Sequence, residues 1–221
     1  MWWRTSCAGA VAVCLSLLAA SGTSGSAPGT VLVVGDSLAT GLEPYLGPLV
    51  EPRAIVWDVS AGRTTPEGLV RLRAELRDVT PGAVLISLGT NDGPHADRFR
   101  DRIRRALRAI PAGVCVVWAD IDRPARKGPY RPLNAVLAKE ARRDRRLTVV
   151  HWHRAVASHR VDLPDNIHPD ADGFSYRSRL YASALERGCP TTQKRAGPAV
   201  STSTRSSRLG AMRVGGLRTL G

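Results

Sequence analysis

The stretch Val31-Leu32-Val33-Val34-Gly35-Asp36-Ser37-Leu38 decides the fold, because four consecutive aliphatic residues run directly into a glycine, an acid and a serine. A short apolar run without polar alternation is typical of a strand buried on both faces of a sheet. Asp36 and Ser37 are residue types that commonly cap the start of a helix. The stretch therefore predicts a buried strand followed at once by a helix, with Ser37 at the junction.

Four further apolar runs follow, at residues 54–59, 83–88, 114–119 and 147–152. The segments between them carry apolar residues at helical spacing, as Phe99, Ile103 and Leu107 do. Short buried strands that alternate with amphipathic helices imply a parallel sheet covered by helices on both sides. We therefore predict an α/β fold with five parallel strands.

Polar segments follow four of the predicted strands, at the place where such sheets bind ligands, which is beyond the carboxyl ends of the strands. These segments are Gly35-Asp36-Ser37-Leu38, Ser60-Ala61-Gly62-Arg63, Gly89-Thr90-Asn91-Asp92 and, after the fifth strand, residues 163–169. They lie far apart in the chain but share one edge of the predicted sheet. We expect a site for chemistry at that edge.

The residue types in these segments match acyl transfer by a serine nucleophile. Ser37 is the candidate nucleophile, His168 the base that takes its proton, and Asp165 the carboxylate that orients the imidazole. The tetrahedral intermediate needs hydrogen-bond donors for its oxyanion. The backbone N–H groups of Ser37 and Gly62 and the side-chain amide of Asn91 are candidates for that oxyanion hole.

Each of these residues also has a purely structural interpretation. Ser37 can serve only as a helix cap, Gly62 can serve a tight turn, and Asn91 can close the loop after the third strand. The structural roles of Gly62 and Asn91 are compatible with donation to an oxyanion, so both interpretations stay open. We expect Asp36 and Asp92 to be loop scaffolding.

The order of these segments resembles that of a known family, the SGNH, or GDSL-type, hydrolases. The segments are Gly-Asp-Ser-Leu at 35–38, the glycine at 62, Gly-Thr-Asn-Asp at 89–92 and Asp-x-x-His-Pro at 165–169. The resemblance covers most of residues 30–187. It implies a flavodoxin-like three-layer α/β/α sandwich, the roles given above for the five site residues, and no metal or cofactor. Members of that family deacylate lipids, thioesters, aryl esters and acetylated sugars, and this chain looks most like the small secreted bacterial members.

The predicted function is that of a secreted serine esterase or acylhydrolase that forms an acyl-enzyme on Ser37. Its substrate would be a small-molecule, glycan or lipid ester; the sequence indicates neither acyl length nor leaving group nor oligomeric state. Two alternatives stay open. One is a non-catalytic module that binds cell-wall glycan or lipid, which the basic charge favours, and the other is an acyltransferase in which an alcohol or sugar replaces water.

Metal and nucleic-acid functions are not expected. His151, His153 and His159 could suggest a metal site with His168, but we expect them to be structural or surface groups. No carboxylate-rich cluster completes such a site. The arginine-rich helix faces are interspersed with acids, and aromatic residues, only 5% of the chain, do not interleave with them, which excludes a nucleic-acid platform.

The N-terminus, residues 1–27, has the three parts of a secretory signal: Arg4, an apolar run at 8–20 and small residues at 21–27. The apolar run is shorter than the roughly 20 residues that a transmembrane helix needs. We therefore predict cleavage after Ala27 and an exported protein with no integral membrane span.

Charge and composition divide the rest of the chain into a folded domain and a basic C-terminal tail. The 221 residues have a formal net charge of +13, and 43% of them are hydrophobic, which excludes a wholly disordered or fibrous protein. Residues 190–221 contain six Lys and Arg but no acid and no aromatic residue. We predict a hydrolase domain at 28–189 and a disordered basic tail at 190–221; contact of this tail with an anionic wall polymer or lipid is the alternative.

Cleavage of the signal would remove Cys7 and Cys14 and leave Cys115 and Cys189. An even pair in an oxidising compartment suggests one disulfide between an inner strand and the end of the last helix. Two unrelated buried thiols are the alternative.

Overall fold

The computed structural model describes residues 29–189. The predicted signal peptide at 1–27 and the predicted basic tail at 190–221 lie outside the described residues. Among residues 29–189 no helix has both the length and the apolar character needed to cross a membrane.

A five-stranded parallel sheet forms the centre of the described chain, as predicted. Its strands are β1 (Val31–Gly35), β2 (Ile55–Val59), β3 (Ala83–Ser87), β4 (Cys115–Ala119) and β5 (Leu147–Val150). Their order across the sheet is β2-β1-β3-β4-β5, with every neighbouring pair parallel. The strand order reverses between β1 and β3, and a crevice at such a switch point is where sheets of this type bind ligands.

Seven helices connect and cover these strands. They are α1 (Ser37–Thr40), α2 (Glu43–Val50), α3 (Thr65–Asp78), α4 (Ala96–Ala109), α5 (Arg131–Arg143), α6 (Trp152–Ala157) and α7 (Ala171–Gly188). A short 3-10 turn, Ala125–Lys127, lies between β4 and α5.

The sheet has a separate apolar core on each face, because side chains alternate along a strand. Val31 and Val33 of β1 join Leu46 of α2 and Tyr181 of α7 on one face. Leu32 and Val34 join residues of α3, α4 and α5 on the other, namely Leu69, Leu72, Phe99, Ile103, Leu133 and Leu137. All five residues of β1 are buried. The result is the three-layer α/β/α sandwich that the sequence predicts.

The prediction was wrong at the end of the fifth strand. The predicted strand spans the mostly apolar run at 147–152, but β5 ends at Val150 and Trp152 begins α6. Trp152 is fully buried against the α2 and α7 side of the sheet, so its hydrophobicity reflects a buried helix start. His151 is the N-cap of α6 and His153 lies within it, so these two histidines belong to a helix and not to the end of a strand.

The two cysteines of the described chain are joined. Cys115 begins β4 and Cys189 follows α7, and the structure bonds their sulfur atoms with the Cα atoms 5.7 Å apart. The bond ties the last helix to the amino end of an inner strand, at the opposite end of the sheet from the predicted site.

Candidate active site

Ser37 lies at the junction of β1 and α1, where the backbone turns sharply. Asp36 is the N-cap of α1, and its Oδ1 accepts a hydrogen bond of 3.1 Å from the backbone N–H of Leu38. Gly35 is needed for this turn, because a Cβ there would lie 2.3 Å from the Cβ of Ala39. The turn presents the Ser37 hydroxyl, whose Oγ is 2.7 Å from Nε2 of His168.

The loop from Asp165 to His168 is held by hydrogen bonds among its own residues. Oδ1 of Asp165 accepts hydrogen bonds from the backbone N–H groups of Ile167 (2.9 Å) and His168 (2.7 Å), and Oδ2 lies 2.7 Å from Nδ1 of His168. Asn166 takes the left-handed conformation, with φ 66°, that closes this short turn. These hydrogen bonds hold the pKa of Asp165 well below its usual range. The carboxylate is therefore ionised and fixes the imidazole.

Ser37, His168 and Asp165 thus form one hydrogen-bonded chain, as the sequence predicts. The carboxylate binds Nδ1 and leaves Nε2 directed at the serine oxygen. This tautomer is the one in which the imidazole can accept the serine proton. The side chain of His168 is 39% exposed and that of Asp165 is 56% exposed, so the chain lies on an open rim.

Gly62 lies in the turn after β2, beside the Ser37 junction. The N–H of Ser60 donates to the carbonyl of Gly35 (3.1 Å), which ties this turn to the end of β1. Gly62 has φ +75°, a conformation that favours glycine. Within residues 29–189, the backbone N–H groups of Ser37 and Gly62 have no hydrogen-bond acceptor. Both are available to a ligand.

Asn91 lies in the loop after β3 and contacts the same turn. Its Nδ2 donates to the carbonyl oxygen of Arg63 (3.3 Å), and its Oδ1 accepts from Nζ of Lys127 (3.0 Å). The contact with Arg63 brings the amide next to the residue that follows Gly62. The structure therefore groups the loops of all five predicted site residues at the carboxyl edge of the sheet.

Asp92 has the scaffolding role expected of it. Its buried carboxylate accepts from the N–H of Thr65 (2.8 Å), at the start of α3, and from Nη1 of Arg102 (2.7 Å), in α4. It therefore fixes the Asn91 loop between two helices.

Asp36 is also structural, in a fully buried polar group. Its Oδ1 accepts from Oγ of Ser87 (3.4 Å), which in turn accepts from Nη2 of Arg177 (3.1 Å). Arg177 is buried and lies 4.5 Å from the centre of the Trp152 ring. Burial raises the pKa of Asp36 to about 6, although the Arg177 charge opposes this shift.

The sequence did not identify Arg123, a side chain that binds the backbone of the Asn91 loop. Its guanidinium is buried and its Nη1 donates to the carbonyl oxygens of Gly89 (3.2 Å), Thr90 (3.1 Å) and Asp92 (2.5 Å). Burial lowers the pKa of Arg123, although the charge of Asp92 opposes this shift. The only sequence signal was its position after the fourth strand.

The histidines considered for a metal do not join His168. Nδ1 of His151 lies 3.4 Å from Oδ2 of Asp120, and Nδ1 of His153 lies 2.6 Å from Oδ2 of Asp122. These two imidazoles each have their own carboxylate partner, and His159 is exposed in the turn after α6. Within the described part of the chain, no group of three or more His, Cys, Asp or Glu side chains is arranged to hold a metal ion.

Several solved structures share this fold. The catalytic domain of peptidoglycan O-acetyltransferase A from Streptococcus pneumoniae is 19% identical with a TM-score of 0.60, and the match covers 76% of this chain and 96% of that one. For the esterase EstA from Pseudoalteromonas sp., the identity is 18%, the TM-score 0.61 and the coverage 72% and 97%. A lipase/acylhydrolase from Enterococcus faecalis is 17% identical with a TM-score of 0.61, covering 74% and 98%.

The sequence itself points to one family. No match to the chain is found among curated proteins. The model of the GDSL-like lipase/acylhydrolase family, however, matches residues 33–175, a range that begins inside β1 and ends in the first turns of α7. That range contains Ser37, Gly62, Asn91, Asp165 and His168. The chain therefore belongs to the GDSL-like lipase/acylhydrolase family.

Proposed function

We propose that the protein is an exported serine esterase or acylhydrolase that cleaves carboxylic esters through an acyl-enzyme intermediate on Ser37. The observation that carries the proposal is the hydrogen-bonded chain from Ser37 Oγ through His168 to Asp165, with both links at 2.7 Å. Membership of the GDSL-like family supports the same reaction class.

In the first half-reaction, Oγ of Ser37 attacks the carbonyl carbon of the ester while its proton passes to Nε2 of His168. The carbonyl oxygen becomes an oxyanion that accepts hydrogen bonds from the N–H groups of Ser37 and Gly62 and from Nδ2 of Asn91. The bond between the carbonyl carbon and the leaving oxygen then breaks. The alkoxide takes the proton from His168 and leaves as an alcohol.

In the second half-reaction, water attacks the acyl group on Ser37. His168 takes a proton from the water, and the same three donors stabilise the second oxyanion. The bond between the acyl carbon and Ser37 Oγ breaks, and the proton returns from Nε2 to the serine oxygen. Asp165 stays ionised throughout and stabilises the imidazolium.

Acyl transfer to an alcohol is the second candidate. It differs only in the second half-reaction, where a sugar or alcohol hydroxyl replaces water. The exposed His168 and Asp165 leave room for a large acceptor, and the similar Streptococcus pneumoniae domain is a peptidoglycan O-acetyltransferase. Product analysis with and without added acceptor alcohols separates the two outcomes.

Export is the cellular part of the proposal. The secretory pattern of residues 1–27 and the bond between Cys115 and Cys189 support it. We expect the mature protein in the culture medium to begin at Pro28 and to release no free thiol when it is denatured without reductant. Recovery of the full chain from the cell interior, with two reactive thiols, would contradict this part of the proposal.

A fluorophosphonate probe and p-nitrophenyl acetate test the chemistry. The wild-type protein should hydrolyse the ester and carry the phosphonyl group on Ser37, while Ser37→Ala should do neither and unfold at the same temperature. Ser158→Ala is the matched control, because Ser158 is exposed and lies outside the site. A wild-type protein that neither labels nor turns over any of a series of acyl esters would leave a glycan- or lipid-binding role in place of catalysis.

A further inference from the structure

The amide of Asn91, the proposed oxyanion donor, is held at both ends. Nζ of Lys127 lies 3.0 Å from its oxygen, and its nitrogen donates to the carbonyl oxygen of Arg63 at 3.3 Å. Lys127 reaches it from the 3-10 turn between β4 and α5, 36 residues further along the chain. Neither the family motifs nor the sequence pattern drew attention to this lysine.

An ammonium group is an unusually selective partner for an amide. It has three donors and no acceptor, so it can bind the oxygen of Asn91 but not the nitrogen. An unsupported amide can rotate by half a turn and exchange its two ends, which would present an acceptor to the developing oxyanion. The contact with Lys127 excludes that orientation and keeps Nδ2 on the opposite side, towards the Gly62 turn.

The charge of Lys127 also acts on the donor itself. A cation at the amide oxygen polarises the amide and makes its N–H groups stronger donors, an effect that increases where water is partly excluded. Both Asn91 and Lys127 are half-buried. The strengthened N–H matters most where negative charge develops, which is in the transition state.

The turn that carries Lys127 is itself held to the Asn91 loop. Nε of Arg123 donates to the carbonyl oxygen of Gly128 (3.3 Å), the residue after Lys127, while Nη1 of the same side chain binds the carbonyls of the Asn91 loop. Gly128 has φ +83°. One buried guanidinium therefore sets the distance between the backbone of Lys127 and that of Asn91.

We propose that Lys127 is a positioning residue for the oxyanion hole: it orients and polarises the Asn91 amide. The inference rests on the proposed function and extends it. It predicts that loss of the ammonium reduces the rate of the chemical step and leaves ester binding unchanged, because the effect operates through Asn91 and only on developing charge.

Four variants test this with p-nitrophenyl acetate as substrate. Lys127→Met should lower kcat by roughly 10-fold with an unchanged KM, a smaller loss than removal of the donor itself. Lys127→Arg, which keeps a cationic donor, should recover most of that loss. Lys139→Met removes an exposed lysine of α5 and should leave kcat at the wild-type value. In an Asn91→Ala background, Lys127→Met should have no further effect on kcat.

Each contrary outcome is distinct. An unchanged kcat in Lys127→Met would overturn the inference, and so would an equal loss in the Asn91→Ala background, because the two residues would then act independently. A change in KM alone would make Lys127 a substrate contact instead. If Lys127→Met fails to fold, Lys127→Gln, which also lacks the ammonium, decides in its place through the same comparison with the Asn91→Ala background. An inactive wild-type protein would contradict the proposed function and not this inference.

Discussion

Two loops of the site are built in opposite ways. The loop that carries Asp165 and His168 is held by four hydrogen bonds among residues no more than three positions apart, and it is largely exposed. The loop that carries Asn91 is held by residues from 10 to 36 positions away, and its supports are mostly buried. A self-contained loop can change its chemistry without affecting the fold, whereas in the second loop stability and chemistry share the same contacts.

The largest effect is expected at the exposed loop. Asp165→Asn replaces the carboxylate that fixes the imidazole tautomer, so kcat for ester hydrolysis should fall by roughly 10⁴-fold. The melting temperature should change little, because the lost contacts are local and exposed. Measuring both quantities on the same sample tests the comparison directly.

Asp162→Asn is the matched control for that measurement. Asp162 is an exposed acid three residues earlier in the same loop, and its neutralisation should leave kcat unchanged. A large drop in the melting temperature of Asp165→Asn, with a proportionate loss of active protein, would show that the loop is not self-contained.

The next largest effect is expected at the amide donor. Asn91→Ala removes one oxyanion hydrogen bond and should lower kcat by roughly 10²–10³-fold with a smaller change in KM. It also removes the acceptor of Lys127 and the donor to Arg63. The variant should still label with a fluorophosphonate, only more slowly. A kcat within twofold of the wild-type value would assign Asn91 to loop closure alone.

The contrast between local and long-range contacts also explains which site residues could be predicted from the sequence. Asp165 and His168 are three residues apart and could be paired from the sequence, and Ser37 could be placed because an apolar run ends directly before it. Parallel strands then bring both segments to one edge without any knowledge of side-chain contacts. These predictions used only local pattern and one topological rule.

Arg123, Lys127 and Arg177 could not be identified in that way. Each acts on a segment 30 or more residues away, and nothing in its immediate sequence indicates which segment it contacts. The end of β5 failed for a related reason: Trp152 is buried by tertiary packing of α6, and hydrophobicity alone does not separate a buried strand from a buried helix start.

The stability of the Asn91 loop should depend on its distant contacts, above all on Arg123. Arg123→Met leaves the buried backbone carbonyls of Thr90 and Asp92 without a donor, while the Gly89 carbonyl keeps the N–H of Asp92 (3.1 Å). An unsatisfied buried acceptor costs about 1–3 kcal/mol. The free energy of unfolding should therefore fall by about 2 kcal/mol or more, together with kcat. Urea denaturation measures the change. Arg126→Met, at an exposed arginine of the same turn, should alter neither, and an equally stable Arg123→Met would remove the basis for treating this loop as a long-range assembly.

Two carboxyl groups flank the reacting groups, and their pKa values are shifted in opposite directions. Asp165 is exposed and its pKa is lowered by hydrogen bonds, whereas burial raises the pKa of Asp36 from 3.8 to about 6. Oδ2 of Asp36 is buried and has no hydrogen-bond partner among the described residues. Between pH 3.8 and about 6, Asp36 holds a proton in the folded protein that it releases in the unfolded chain. Asp36 therefore lowers the unfolding free energy as the pH rises from about 4 to 6.

Asp36→Asn should remove this dependence, because the amide oxygen can still accept from the N–H of Leu38 but no longer titrates. The unfolding free energy of the variant, minus that of the wild-type protein, should increase between pH 4 and pH 7 by at most about 3 kcal/mol. The contribution of Asp165 has the opposite sign and cancels in the difference. Asp172→Asn, at an exposed acid in the first turn of α7, is the matched control for replacing a carboxylate by an amide. A difference for Asp36→Asn that does not vary with pH would mean that Arg177 keeps the buried carboxylate ionised, and that the two acids differ in exposure but not in charge.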